Sequence, residues 1–258
     1  MTFIDSHCHL PDIKHKKALE QILQEAQKEG VTKFINIGTS VKHNKKALKT
    51  AKNYLNVSAT AAVYPHEDQN KSLKEIKTYL QNYIEINKKD LVGIGETGID
   101  ITSWKNGRSK KEQIELFEFQ AHLAKEYDLP LIVHNRNGDK EVLQVLKNVK
   151  VPKGVIHCFA SKWDFAKEVL DLGFYISFSG LITYKSRDYL LETVKKVPND
   201  RFLIGTDAPL LPPEGHRGEQ NQPKYVKIIA QKVADVKGLS LEQVAKFSTS
   251  NAEELFDL

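Results

Sequence analysis

The 258-residue chain has little sulfur: two cysteines, Cys8 and Cys158, and one methionine. Two distant cysteines make neither the disulfide framework of a small secreted domain nor the cysteine cluster of a structural zinc site. Long apolar runs are missing too, so no segment reaches the roughly 20 residues of a transmembrane helix. The opening residues lack the charged-then-apolar plan of a secretory signal. There is no low-complexity block, internal repeat or evident linker. The expectation is a reduced, cytoplasmic protein with no membrane association and no evident obligate protein partner. Charge of one sign is in modest excess: 38 basic residues against 33 acidic leave a formal +5, with Lys far outnumbering Arg. Much of that excess lies on helix faces such as "KHKKALEQILQEAQKEG". The charge permits nucleic acid as a partner and does not by itself argue for one.

What the chain does have is a 40% hydrophobic content, enough for a large core, at a length that α/β barrels reach as one domain. Short β-branched or apolar runs recur as "FIDSH", "KFINIGT", "NVSATAAVY", "LVGIGE", "PLIVH", "GVIHCF", "FYISFS" and "RFLIGTD". Most are followed by helical spacing: Ala18, Ile22, Leu23 and Ala26 after the first, Leu116, Phe119, Gln120 and Leu123 after the fourth, Val142, Val145 and Leu146 after the fifth. Eight β-then-α units predict a closed parallel (β/α)8 TIM barrel, a single α/β domain over residues 1–258. An open doubly wound sheet is the other arrangement this pattern allows. In "VKGLSLEQV", Gly238 is expected to stop one helix and Ser240 to cap the next.

In parallel α/β folds, chemistry gathers where the carboxyl ends of the strands meet the following loops. The last residues of the runs are His7 and His9, Tyr64 and His66, Glu96, His134, His157 and Asp207. The other histidines, His15, His43, His122 and His216, fall in helices or loops. Successive strand side chains alternate faces, so His7 and His9 share one face and Cys8 takes the other. Cys158 beside His157 reads the same way, and both cysteines are expected as small buried hydrophobes between strands and helices. Imidazoles with carboxylates form the ligand set of borderline divalent cations. Six ligands exceed one tetrahedral site. Two ions bridged by a carboxylate fit better, an arrangement that clamps the attacking and leaving oxygens of a hydrolysis.

The stretches "DSHCHL", "VGIGETGID", "PLIVHNR", "GVIHCF" and "TDAPLLPP", in that order, resemble the TatD-type metal-dependent hydrolases of the amidohydrolase superfamily. The likeness extends to the C-terminal "TSNAEELF". It implies a (β/α)8 barrel, a one- or two-metal centre and DNase activity, often exonucleolytic. Carried onto matching positions, it implies that His7, His9 and Asp207 hold one ion and His134 and His157 the other. Glu96 would bridge them, and Asp207 would take the proton from the attacking water. The ions are expected to be two divalent metals per subunit, drawn from Zn, Mn, Mg, Co or Ni. Three departures bear on substrate handling. Tyr64 stands where the family usually has His, although His66 is present; Gly205 replaces the usual Glu; and the loop "TGIDITSWKNGRSKKEQ" lacks the aromatic that commonly follows the Asp.

The combined reading is a metal-dependent phosphodiesterase that cleaves DNA from an end. A hydrolase of a small ester, lactone or amide is the alternative enzyme, and an inert metal or nucleic-acid binder the alternative class. Arg136 is expected at a phosphate oxygen, with Tyr64 and His66, two apart on a strand, facing the substrate. The loop "PPEGHRGEQNQP", with His216 and Arg217, is expected at the sugar-phosphate backbone; Arg217-Gly218 and Asn221 match a family pattern there. Trp104 and Lys105 are candidates for a base and a phosphate, with loop packing the alternative for Trp104. Gly205 is expected on the eighth strand facing the barrel mouth, where a Glu would add a carboxylate unless packing requires glycine.

Overall fold

The eight short runs become eight parallel strands that pair in sequence order, β1 with β2 through to β7 with β8. This is seen in a computed structural model that describes residues 1–13 and 18–258; His15 lies outside the described residues. The strands are β1 (Phe3–Cys8), β2 (Val31–Asn36), β3 (Val57–Ala61), β4 (Leu91–Asp100), β5 (Leu131–Arg136), β6 (Gly154–Ile156), β7 (Tyr175–Phe178) and β8 (Phe202–Ile204). The helices are α1 (Leu19–Lys28), α2 (Val41–Asn53), α3 (Leu73–Asn87), α4 (Lys110–Glu126), α5 (Asp139–Val149), α6 (Trp163–Asp171), α7 (Leu190–Lys196), α8 (Val226–Lys237) and α9 (Leu241–Phe256). The seam between the last and first strands is closed by main chain. Cys8 bridges Ala208, the Asp207 N–H donates to His7 O at 2.8 Å, and the His9 N–H donates to Ala208 O at 2.7 Å. The chain is a single-domain (β/α)8 barrel.

Local sequence explains the elements. The apolar stripe of α1 buries Ile22, Leu23 and Ala26, and that of α5 buries Val142, Val145 and Leu146. Ser72, Ser109 and Ser240 start α3, α4 and α9 with reciprocal capping boxes to Glu75, Glu112 and Gln243. Gly238 ends α8 at φ 67°, the left-handed turn a residue with Cβ resists. Two apolar layers result. The larger lies between strands and helices and holds Phe3, Phe34, Phe117, Phe174 and Phe202. The inner layer draws Ile4, Ile35, Ile132, Val155, Tyr175 and Leu203 from six strands, and α9 adds Ala252, Leu255 and Phe256. Each such side chain contributes about 1.5–3 kcal/mol by leaving water.

Three strands that lead to candidate site residues stop short of the apolar runs that announce them. β3 ends at Ala61 because side chains take over its ladder: Asn44 Oδ1 accepts the Ala62 N–H at 3.1 Å, and the Gln120 amide grips both Val63 N and O. Tyr64 and His66 therefore lie in a loop rather than on a strand, with the Glu67 N–H closing a turn onto Tyr64 O. β8 ends at Ile204, so Gly205 and Asp207 are also off the strand, and Asp207 adopts φ 61°. β6 ends at Ile156, and Cys158 follows at φ 45° with its Sγ 2.9 Å from Ser179 Oγ. Cys8 is fully buried as expected, its thiol reaching Ile35 O at 3.5 Å, and burial pushes both thiols well up from their ordinary range. Among the described residues, no helix is long and apolar enough to cross a membrane.

Candidate metal centre

The carboxyl ends of β1, β4, β5 and β6 and the segment after β8 converge on Glu96, which is 4% exposed. Its two oxygens face different partners. Oε1 lies 2.9 Å from His134 Nδ1 and 2.8 Å from His157 Nε2. Oε2 lies 3.4 Å from His7 Nε2 and 3.7 Å from His9 Nε2. Asp207 completes the second group, its Oδ1 standing 3.3 Å from His9 Nε2 and 3.6 Å from His7 Nε2. Two sets of ligand atoms are close enough to share an ion: His7, His9 and Asp207, and His7, Glu96 and His157. The rings of His7 and His157 stack at 3.8 Å.

The surroundings of this cluster keep negative charge on its carboxylates. Burial opposes charge on Glu96 and Asp207, yet the surrounding histidines, His157 for Glu96 and His9 for Asp207, hold both carboxyls below the usual range. His7 is pushed down to about 4, first by burial and then by His157, and so stays neutral, as a ligand must. Burial alone would lower His9 and His134; Asp207 raises the first to about 9, and Asp100 with Glu96 raises the second to about 9. Both ring nitrogens of His7 are buried without a hydrogen-bond partner among the described residues. A buried orphan nitrogen aimed at two carboxylates costs stability unless something electropositive joins them. The donor set of imidazole and carboxylate therefore fits a divalent metal.

The barrel also places residues that strand-end reasoning passed over. Asp5 is fully buried and accepts from Thr206 N at 2.8 Å, Thr206 Oγ1 at 2.6 Å and His7 N at 3.3 Å. Burial drives its carboxyl up to about 7 against those donors. Asp100, the last residue of β4, is fully buried behind His134, its Oδ2 3.7 Å from His134 Nε2. Burial works against its charge, but His134, Thr102 and Tyr64 hold its carboxyl far below the ordinary range. Arg108 donates to Pro65 O and Asp68 O at 2.9 and 3.0 Å and so pins the loop that carries Tyr64 and His66. The signal for Asp100 was the two-residue period from Glu96 through Gly98; that for Asp5 was its place two residues before His7.

The remaining candidates divide. Arg136 ends β5 exposed at the rim of this cluster. Tyr64 is half-buried, with its hydroxyl engaged by Asp100 and 3.1 Å from His134 Nε2. His66 is buried, its Nε2 3.0 Å from Asp100 O and its ring stacked on Trp104. Trp104 is 45% exposed but donates its indole N–H to Asp100 Oδ2 at 3.1 Å, which is the loop-packing outcome; Lys105 is exposed. Arg217 is exposed and lies over the Tyr184 ring at 4.8 Å, whereas His216 pairs with Glu219 and stacks on Tyr225. Asn221 is fully buried and donates to Thr206 O and Leu210 O, a scaffold rather than a surface contact. A Cβ on Gly205 would stand 2.9 Å from His7 N, so packing requires glycine there.

Comparison with known proteins gives the chain a family. The family model described as "TatD related DNase" matches residues 4–257. A Bacillus subtilis protein named "Uncharacterized metal-dependent hydrolase YabD" is 33% identical over 98% of each chain. The "Putative deoxyribonuclease tatdn3" of Danio rerio is 29% identical over 98% of this chain and 97% of its own. Among solved structures, the TatD homologue YJJV of Escherichia coli superposes with a TM-score of 0.93 at 28% identity, covering 99% of this chain and 98% of that one. A two-carboxylate, four-histidine cluster, buried except for half-buried His134, on a (β/α)8 barrel and a match along nearly the whole chain lead to one placement: this protein belongs to the TatD family of metal-dependent hydrolases.

Proposed function

We propose that the protein is a two-metal phosphodiesterase that hydrolyses DNA from an end. The observation that carries the reading is the division of the Glu96 carboxylate, one oxygen toward His134 and His157 and the other toward His7 and His9. In this reading His7, His9 and Asp207 would hold one divalent ion and His134 and His157 the second, with Glu96 shared between the two groups; Zn, Mn, Mg, Co and Ni are the candidates. Bound there, such ions supply Lewis acidity, lowering the pKa of water and offsetting phosphodiester charge. The chain's own groups do the rest. Asp207, held ionised by its histidine neighbours, accepts the proton released by the attacking water. Arg136 at the rim neutralises a phosphate oxygen, and Arg217 on the loop after β8 steers the strand that follows. Tyr64 and His66 shape the wall of the site behind them. The family description and the name of the Danio rerio relative support a nucleic-acid substrate. Two free cysteines accord with a cytoplasmic setting.

The test is hydrolysis of end-labelled single- and double-stranded oligonucleotides with manganese, cobalt, magnesium or zinc, run beside a panel of esters, lactones and amides. Stepwise shortening from one end, abolished by a chelator and restored by added metal, is the expected result. Turnover of a small ester or amide with DNA left intact would replace the nuclease reading. Undiminished hydrolysis in a verified metal-free preparation would overturn the metal assignment itself.

A further inference from the structure

We propose that Asp100, acting through the Tyr64 hydroxyl, fixes the orientation and tautomer of His134 and so sets how tightly the His134–His157 half of the centre holds its ion. The inference rests on the two-metal reading and deepens it.

The two nitrogens of His134 look in different directions. Nδ1 faces the ligand cluster, 2.9 Å from Glu96 Oε1 and 3.4 Å from His157 Nε2. Nε2 faces away, 3.1 Å from the Tyr64 hydroxyl oxygen. What decides the proton positions is Asp100. Four donors converge on its carboxylate: the Tyr64 hydroxyl at 2.8 Å, Thr102 N at 2.9 Å, Thr102 Oγ1 at 2.5 Å and Trp104 Nε1 at 3.1 Å. A carboxylate that accepts from all sides offers no proton of its own. Tyr64 must therefore spend its single hydroxyl hydrogen on Asp100, which leaves only lone pairs toward His134. The His134 Nε2 then carries the imidazole hydrogen and donates it to Tyr64. Nδ1 is then the nitrogen that gives up its proton to an incoming ion, and once deprotonated it aims a lone pair toward Glu96 and His157, the form in which imidazole binds a metal.

The relay is built into rigid surroundings. The indole of Trp104, tethered to Asp100 by its N–H, stacks on His66 at 4.9 Å, and His66 Nε2 closes the circle at 3.0 Å from Asp100 O. Arg108 clamps the same loop from the β4–α4 connection through Pro65 O and Asp68 O. The loops after β3 and β4 thus meet on one carboxylate. Tyr64 is a positioning residue for His134, and its hydroxyl is already committed before any substrate arrives.

Zinc alone is the probe. Removing the hydroxyl in Tyr64→Phe leaves His134 Nε2 facing Asp100 Oδ2 across 3.7 Å, beyond a good hydrogen bond. Calorimetric titration of metal-free Tyr64→Phe and Asp100→Asn with zinc should weaken one of two sites by about 10- to 100-fold and leave the other unchanged. Thermal unfolding of each variant reports its folding separately. In ¹⁵N spectra of labelled imidazoles, zinc-loaded wild-type protein should show His134 with a protonated Nε2 and a zinc-bound Nδ1, and at the same zinc concentration both variants should show a larger fraction of His134 with Nδ1 free of zinc. Unchanged zinc affinity at both sites in the two variants overturns the relay, whatever the tautomers do. Wild-type protein that takes up no zinc overturns the metal reading and the relay together.

Discussion

On one side of Glu96, the His7, His9 and Asp207 group is held by main chain. Asp207 N donates to His7 O and His9 N to Ala208 O, so these candidate ligands are rungs of the seam that closes the barrel, braced by Asp5 on Thr206. On the other side, His134 lies within β5 and the His157 N–H donates to Val133 O, but the His134 ring is further braced by side chains, with Tyr64 and Asp100 beside it and Thr102 and Trp104 on Asp100, drawn from two loops and the end of β4. The contrast has a mechanical consequence. Damage to the seam is damage to the barrel and should read out first as lost stability. Damage to the relay leaves the sheet intact and should read out first as altered metal binding.

Substitutions can break or sharpen this contrast. Glu96 is common to both halves, so Glu96→Gln should remove both, lowering metal-dependent hydrolysis by roughly 10²–10³-fold or more and reducing bound metal in elemental analysis. Retention of two ions with near-normal turnover would contradict the shared role. In the seam half, Asp5→Ala leaves the buried Thr206 N–H and hydroxyl without an acceptor, at about 1–3 kcal/mol each. With roughly 2–4 °C of melting temperature per kcal/mol in a chain of this size, calorimetry should find a drop well beyond that of Tyr64→Phe. Equal melting temperatures for the two variants would erase the proposed difference between the halves.

Gly205→Ala probes the same seam more gently. Its Cβ meets His7 N at 2.9 Å and Ser6 Oγ at 3.0 Å, so about 1–3 kcal/mol of destabilisation is expected in chemical denaturation. A Gly205→Glu variant should be worse for the same reason, and a stable form with tightened metal retention would show that the missing acid matters more than the packing. The smallest effect belongs to Arg217→Ala, outside both halves. Loss of its cation–π contact with Tyr184 should cost about 0.5–1 kcal/mol at most. DNA cleavage should slow most at low salt, where steering counts, and a salt-independent change would argue against a backbone contact.

The barrel was legible because eight apolar runs alternate with amphipathic helices, and the strand order follows once every connection is a βα crossover. The convergence of the candidate ligands was legible for a related reason: parallel strands bring their carboxyl ends together, so His7, Glu96, His134 and His157 needed only to be found there. What escaped depends on side chains replacing backbone. "NVSATAAVY" reads as strand through Tyr64, yet Asn44 and Gln120, from α2 and α4, capture Ala62 and Val63 and turn the chain aside. Asp207 escaped strand geometry because its left-handed φ lets the segment after β8 reach across to β1. Asp100 was hidden because Gly95, Thr97 and Gly98 dilute the apolar signal of β4, whose last four residues lie beyond "LVGIGE". Asp5 lay in plain view beside the ligands, but its partner Thr206 comes 201 residues later, and only the closed seam pairs them.

Anomalous diffraction at the zinc edge from crystals of the zinc-loaded protein tests the proposed place of Glu96 between two ions most directly. Two peaks roughly 3.5–4 Å apart are expected, one beside His7, His9 and Asp207 and the other beside His134 and His157, with the Glu96 carboxylate between them. A single peak, or peaks that leave Glu96 outside both coordination spheres, would contradict it.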